Sequence, residues 1–172
     1  MRIIAGIMAF CLAFAVSAAQ AESSRTVTLD RLFAALHGTV NAEEATRLTS
    51  MIWVVWSHAD DPETERLLTE GQAAMEKLEF ETALDRFNAV IDRDPDFAEG
   101  WNKRATLYYV MGEYRASIGD IEEVLAREPR HFGALAGLGM NYEALGYDMR
   151  ALNAWRRTLK VNPHLRDARI RI

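Results

Sequence analysis

The chain has 172 residues, of which 49% are hydrophobic and 26% charged, with a formal net charge of −5. That is the balance of a folded globular protein, and it excludes a low-complexity tail or a basic nucleic-acid-binding arm. One cysteine, Cys11, excludes a disulfide framework and any multi-thiolate metal centre. The charge is unevenly spread. Residues 22–149 carry 12 basic and 24 acidic side chains, whereas residues 150–172 carry 7 basic side chains against Asp167 alone. Arg156, Arg157 and Lys160 make the C-terminal end a basic patch on an acidic body, suited to an anionic surface or simply to solvent.

Residues 1–21 read as a cleavable secretory leader. Arg2 supplies the positive start, Ile3 to Val16 is a nearly unbroken apolar run, and Ala19-Gln20-Ala21 fits the small-x-small cleavage pattern. The alternative is an uncleaved inner-membrane anchor, although the run is short for a span. Cleavage after Ala21 would remove Cys11, so no thiol chemistry is expected of the exported chain.

Residues 22–62 read as a lead-in followed by a two-helix cap. Glu22 to Val27 is expected to be flexible. Leu29, Leu32, Phe33 and Leu36 form a helical stripe that ends at His37-Gly38. Asn41, with Glu44 three residues on, predicts a capping box and a second helix to about Ser57. That helix ends in Met51-Ile52-Trp53-Val54-Val55-Trp56, apolar on every side, which predicts burial of Trp53 or Trp56 against the first unit of the array. The competing reading is an exposed aromatic patch for a partner or for self-association.

From residue 63 to residue 165 the chain repeats itself every 34 residues. Trp101, Ala105, Tyr108, Gly112, Ser117, Ile121 and Pro129 recur as Leu135, Gly139, Tyr142, Gly146, Ala151, Trp155 and Pro163, and earlier as Leu67, Gly71, Ala74, Leu78, Ala83, Phe87 and Pro95. A fixed period of this length means stacked supersecondary units. Small residues at Gly71, Ala83, Ala105, Ser117, Gly139 and Ala151 let paired helices approach closely. Large residues, Trp101, Tyr108, Tyr142 and Trp155 among them, fill the spaces between pairs. Gly112 and Gly146 suit the turn after a first helix. Pro95, Pro129 and Pro163 end each second helix.

This pattern resembles the tetratricopeptide repeat (TPR), a pair of antiparallel helices. The resemblance implies an all-α, right-handed α-solenoid of three helix pairs, at 64–97, 98–131 and 132–165, behind the N-terminal cap. Residues 166–172 would form a short closing helix of about two turns, leaving the last repeat poorly covered. Helices are expected at about 64–77, 81–93, 98–110, 114–127, 132–144 and 148–161.

Residues for catalysis are sparse. His37, His58, His131 and His164 lack ligand spacing, Glu122 and Glu123 point to different sides of one helix, and no nucleophile elbow or phosphate loop is present. No enzyme activity, cofactor, metal or small-molecule substrate is expected, and an acidic exported chain is no partner for nucleic acid. In the resembled family the first helix of each pair lines an inner groove that binds peptides. The corresponding positions here are Leu68, Gln72 and Met75, then Asn102, Thr106 and Tyr109, then Met140 and Glu143, with Lys103 at the edge. Relatives that clamp a terminal carboxylate do so with basic and Asn residues. Here the matching places hold Leu68, Gln72, Gly133 and Gly137, with Lys103 as the lone cation, so an apolar or amphipathic segment is the better fit. The sequence therefore reads as a periplasmic adaptor for another envelope protein, of the exported bacterial type. A self-associating or wall-bound structural element is the alternative.

Overall fold

The computed structural model describes residues 23–172; the expected leader and cleavage site lie outside them. All regular structure among the described residues is helical. No described helix is long and apolar enough to cross a membrane. The chain divides into two compact units, Met1–Val55 and Trp56–Ile172.

In the first unit a helix, α1, runs over 23–38. It buries Leu29, Leu32, Phe33 and Leu36, the predicted stripe. The expected flexible lead-in is helical from residue 23, and the Thr28 hydroxyl donates to the Ser24 carbonyl one turn back, 2.9 Å away. α2 spans Ala42–Ser57. Asn41 caps it, its Oδ1 accepting from the amides of Glu43 and Glu44 at 2.9 and 3.0 Å. The expected return bond from Glu44 to the Asn41 amide is replaced by a relay. The Asn41 amide donates to Thr39 Oγ1 at 3.1 Å, and the Thr39 hydroxyl donates to Glu44 Oε2 at 2.6 Å. Thr39 supplies both a donor and an acceptor, so the orphan amide is still satisfied.

The second unit holds three antiparallel pairs: α3 (Pro62–Glu76) with α4 (Phe80–Arg93), α5 (Ala98–Val110) with α6 (Tyr114–Arg127), and α7 (Phe132–Ala144) with α8 (Asp148–Val161). These bounds fall within two residues of the expected ones. Asp61 caps α3 by accepting from the Thr64 amide and hydroxyl, each at 2.9 Å, and Pro62 occupies the first turn, where no amide is needed.

Within each pair, the closeness of the helices is set by one small–large match. A Cβ added at Gly71 would lie 2.5 Å from Phe87 Cε1, and one added at Gly139 would lie 2.6 Å from Trp155 Cε2. Both rings therefore press on bare backbone. The middle pair has the smaller Ile121 at the ring position, and there the facing residue is Ala105. Ser117, Ala83 and Ala151 are buried at the second small position, and the Ser117 hydroxyl donates to the Ala105 carbonyl across the pair, 2.8 Å away. Phe87, Ile121 and Trp155 anchor successive core clusters along the array.

Each first helix ends in the same turn. Gly112 has φ +80° and Gly146 φ +74°, while the first repeat places Leu78 there at φ 61°. The Glu79, Glu113 and Tyr147 amides then reach back to the carbonyls of Ala74, Tyr108 and Tyr142 at 2.8–2.9 Å, a Schellman closure three times over. The three prolines follow the second helices, and two of their carbonyls are bonded by later side chains. Pro95 accepts from Trp101 Nε1 at 2.9 Å and from Arg127 Nε at 2.6 Å, and Pro163 accepts from Arg169 Nε at 2.9 Å.

The closing helix α9 is five residues, Arg166–Ile170, shorter than expected. It nevertheless covers the last pair. Ala168 is 1% exposed beside Trp155, and the Arg171 guanidinium lies 5.1 Å over the Trp155 ring.

Two stability measurements probe this packing. Gly139→Leu should destabilise by about 1–3 kcal/mol or more, because the Trp155 ring has nowhere to go. Glu113→Ala, exposed and without a side-chain cap bond, should change stability by less than about 0.5 kcal/mol. Equal melting of Gly139→Leu and the parent would contradict the close approach. Leu78→Gly should act the other way. Leu78 is 70% exposed and loses little packing, while relief of the left-handed backbone should raise stability by up to about 1 kcal/mol in urea unfolding.

Candidate peptide-binding groove

A cavity of about 170 Å³ opens between α5, α6 and α7. Asn102, Thr106 and Tyr109 line it from α5, Met140 and Ala136 from α7, and Ile121 from α6. Asn102 and Thr106 are four apart, and Thr106 and Tyr109 three apart, so helical geometry sets them on one face. Gly133 and Gly137 leave α7 backbone bare along the opposite wall. Tyr109 packs against Tyr114 with ring centroids 5.6 Å apart, which holds the phenol in place.

Four of the expected groove residues thus converge: Asn102, Thr106, Tyr109 and Met140. The others are elsewhere. Leu68 is 3% exposed inside the core of the first pair, and Met75 packs on the same core. Gln72 is half-buried on α3 and does not line the cavity. Lys103 turns to Glu99, Nζ lying 3.2 Å from Oε1. Glu143 accepts from Trp155 Nε1 at 2.8 Å and pairs with Arg171, so it serves the closed C-terminal end. Tyr108, expected in the core, is half-buried with the Arg104 guanidinium 5.8 Å over its ring.

Beside the cavity lies a buried polar cluster that sequence reasoning missed. Glu99, in the first turn of α5, is 1% exposed, and His131, the N-cap of α7, is 0% exposed. His131 Nδ1 accepts from the Ala134 amide at 3.0 Å, which leaves Nε2–H to donate to Glu99 Oε2 at 3.3 Å. Asn102 Nδ2 donates to the same carboxylate oxygen at 3.0 Å. Asn102 is therefore a structural residue as well as a groove residue. Trp56 stacks on the His131 ring, centroids 4.1 Å apart and planes 17° apart, and tilts against Phe132 at 4.8 Å. The buried end of the apolar segment thus lands where the second repeat meets the third, further along the array than the expected first repeat. Its 3% exposure also removes Trp56 from any free aromatic patch.

Arg104 is a second such tie. It donates in bidentate fashion to Asp120, both bonds 2.8 Å, and to Asn88 Oδ1 of the preceding repeat at 2.7 Å, with Trp101 5.0 Å beneath it. Neither tie has a local signature. Glu99 and His131 are 32 residues apart, and only the stacking of repeats brings them together. Among the described residues, no three His, Cys, Asp or Glu side chains gather as a metal site would require.

Burial alone would push the Glu99 carboxyl up, but the His131 bond and the positive charge of Lys103 outweigh it and hold the group below its ordinary value of 4.5. A carboxyl lowered on folding contributes stability above its unfolded pKa, and that contribution is lost as pH falls through the folded one. Glu99→Gln should cost about 2 kcal/mol near neutral pH. Its deficit relative to the parent should shrink in urea unfolding below about pH 4.5. A deficit independent of pH would show that Glu99 acts through shape alone.

Comparison with known proteins places this geometry. The family model described as "Tetratricopeptide repeat" matches residues 68–110 and 102–146. A TPR repeat-containing protein of Rhizobium etli is 39% identical over 148 residues, which is 86% of this chain and 72% of that protein. The small glutamine-rich tetratricopeptide repeat-containing protein 2 of Saccharomyces cerevisiae is 28% identical over 59% of this chain but only 31% of its own length. Among solved structures, the first TPR of Spaghetti (RPAP3), bound to an HSP90 peptide, superposes with a TM-score of 0.62 at 20% identity, covering 66% of this chain and 90% of that one. With the period, the paired helices and a bacterial relative matched over most of both lengths, the chain belongs to the tetratricopeptide repeat family.

Proposed function

We propose that this protein is an exported adaptor of the bacterial envelope, which holds a segment of another envelope protein in the groove between α5 and α7. The observation that carries the reading is the convergence of Asn102, Thr106, Tyr109 and Met140 on one cavity. A phenol and a thioether offer adaptable apolar contact, and hydroxyl and amide groups beside them suit a peptide backbone. The leader-like residues 1–21 support export, and the Rhizobium etli relative supports a bacterial setting. The RPAP3 domain was solved with the acidic peptide SRMEEVD. This groove differs in its chemistry: the one lysine near it is paired with Glu99, and glycines stand at two of the places that basic clamps use.

A photo-crosslinking amino acid at position 106 tests the reading in cells of the source bacterium. It should give a discrete adduct in the periplasmic fraction. In the Tyr109→Ala, Met140→Ala double variant the adduct should fall sharply, as expected when anchors worth about 2 kcal/mol, or roughly 30-fold in affinity, are removed. The melting temperature should move little, since both side chains are only half-buried. A full-strength adduct in the double variant would place the partner outside the groove, and a cytoplasmic adduct would refute export.

A further inference from the structure

Asn141 carries an acceptor that no other residue satisfies. It is 0% exposed, and its Nδ2 donates to Ser117 Oγ at 2.9 Å and to the Gly137 carbonyl at 2.8 Å. Its Oδ1 has no hydrogen-bond partner, and the residue lines the cavity of the proposed groove. A buried amide oxygen without a donor costs about 1–3 kcal/mol, a cost that a donor brought into the cavity would offset.

The neighbours sharpen the requirement. The side-chain donors of the surrounding wall are committed: Ser117 to the Ala105 carbonyl, Asn102 Nδ2 to Glu99, and the Thr106 hydroxyl to the Asn102 carbonyl. The Tyr109 hydroxyl can donate or accept. A carboxylate entering here would set its charge against a bare amide oxygen, with the Glu99 carboxylate close by. An ammonium would have to shed its water in a cavity that no Asp or Glu lines. A neutral donor on an apolar body meets neither penalty. The walls favour a flat body: Gly133 and Gly137 bare the helix backbone on one side, with Tyr109 and Met140 available for ring and sulfur contacts.

From this geometry we infer that the groove's occupant inserts an aromatic side chain ending in a neutral donor, a tryptophan indole or a tyrosine phenol, and that Asn141 Oδ1 accepts its proton. The inference rests on the groove reading and specifies which residue the partner segment must present.

Matched small probes test it on the unaltered chain, with no variant whose folding is at risk. Alanine and methionine methyl NMR, with the side-chain amide of Asn141, would follow titrations of 3-methylindole and p-cresol. The controls are 1,3-dimethylindole and 4-methylanisole, which keep the rings and lose the donors, and acetate, which supplies a carboxylate. The two donors should shift Ala105, Ala134, Met140 and the Asn141 amide, and bind roughly 10-fold or more tightly than their methylated counterparts. Equal binding of donor and methylated probes would overturn the inference and leave a simply apolar groove. A cavity that responds most strongly to acetate, or to none of the probes, would overturn it as well. None of these results depends on the crosslinking experiment, so the groove reading stands or falls separately.

Discussion

The architecture depends on how near two helices can come within a pair. At Gly71 and Gly139 an aromatic ring from the second helix rests on the backbone of the first at a distance no Cβ would permit. Everything downstream inherits that spacing. The middle pair has a different pair of volumes at these positions, Ile121 with Ala105 in one core cluster. Close packing of this kind tolerates exchanges that conserve the summed volume and resists those that do not.

Polar side chains then fix what apolar packing leaves loose. Arg104 reaches from the second repeat to Asp120 beside it and Asn88 before it, and Glu99 with His131 joins the second repeat to the third. Hydrogen bonds of this directness define register, whereas methyl and ring contacts slide. They also occupy the cations near the groove. That is why the groove carries a neutral face despite an Arg and a Lys close at hand.

The repeat was legible in the sequence because its signal is redundant. Three prolines, two turn glycines and a ladder of small residues report the same period, so helix boundaries follow from phase. The groove was legible only in part. Asn102, Thr106, Tyr109 and Met140 fall where phase predicts, but phase treats all repeats as equal, and the first is not. α3 buries Leu68 in the core of the first pair and packs Met75, partly buried, against it. Phase is also blind to contacts between positions that do not correspond. The Trp56–His131 stack, the Glu99–His131 bond and the unpartnered oxygen of Asn141 arise from three-dimensional neighbours with no fixed spacing. Thr39 escaped notice because a relayed cap spreads over six residues, beyond the four of the expected motif.

Trp56 has a consequence for how the array comes apart. Stacked repeats ordinarily hold only their immediate neighbours, so such arrays fray from whichever end is weaker. Here a residue that precedes the first repeat is pinned between the second and the third, against His131 and Phe132. The intervening chain is a closed loop. Its first repeat cannot peel away alone while that clasp holds, because Trp56 must leave with it or stay behind under tension. Trp56 therefore ties the start of the array to its middle, and the other end is covered by the five residues of α9. Local opening of the array is then expected to begin beside α9 and not at the first repeat.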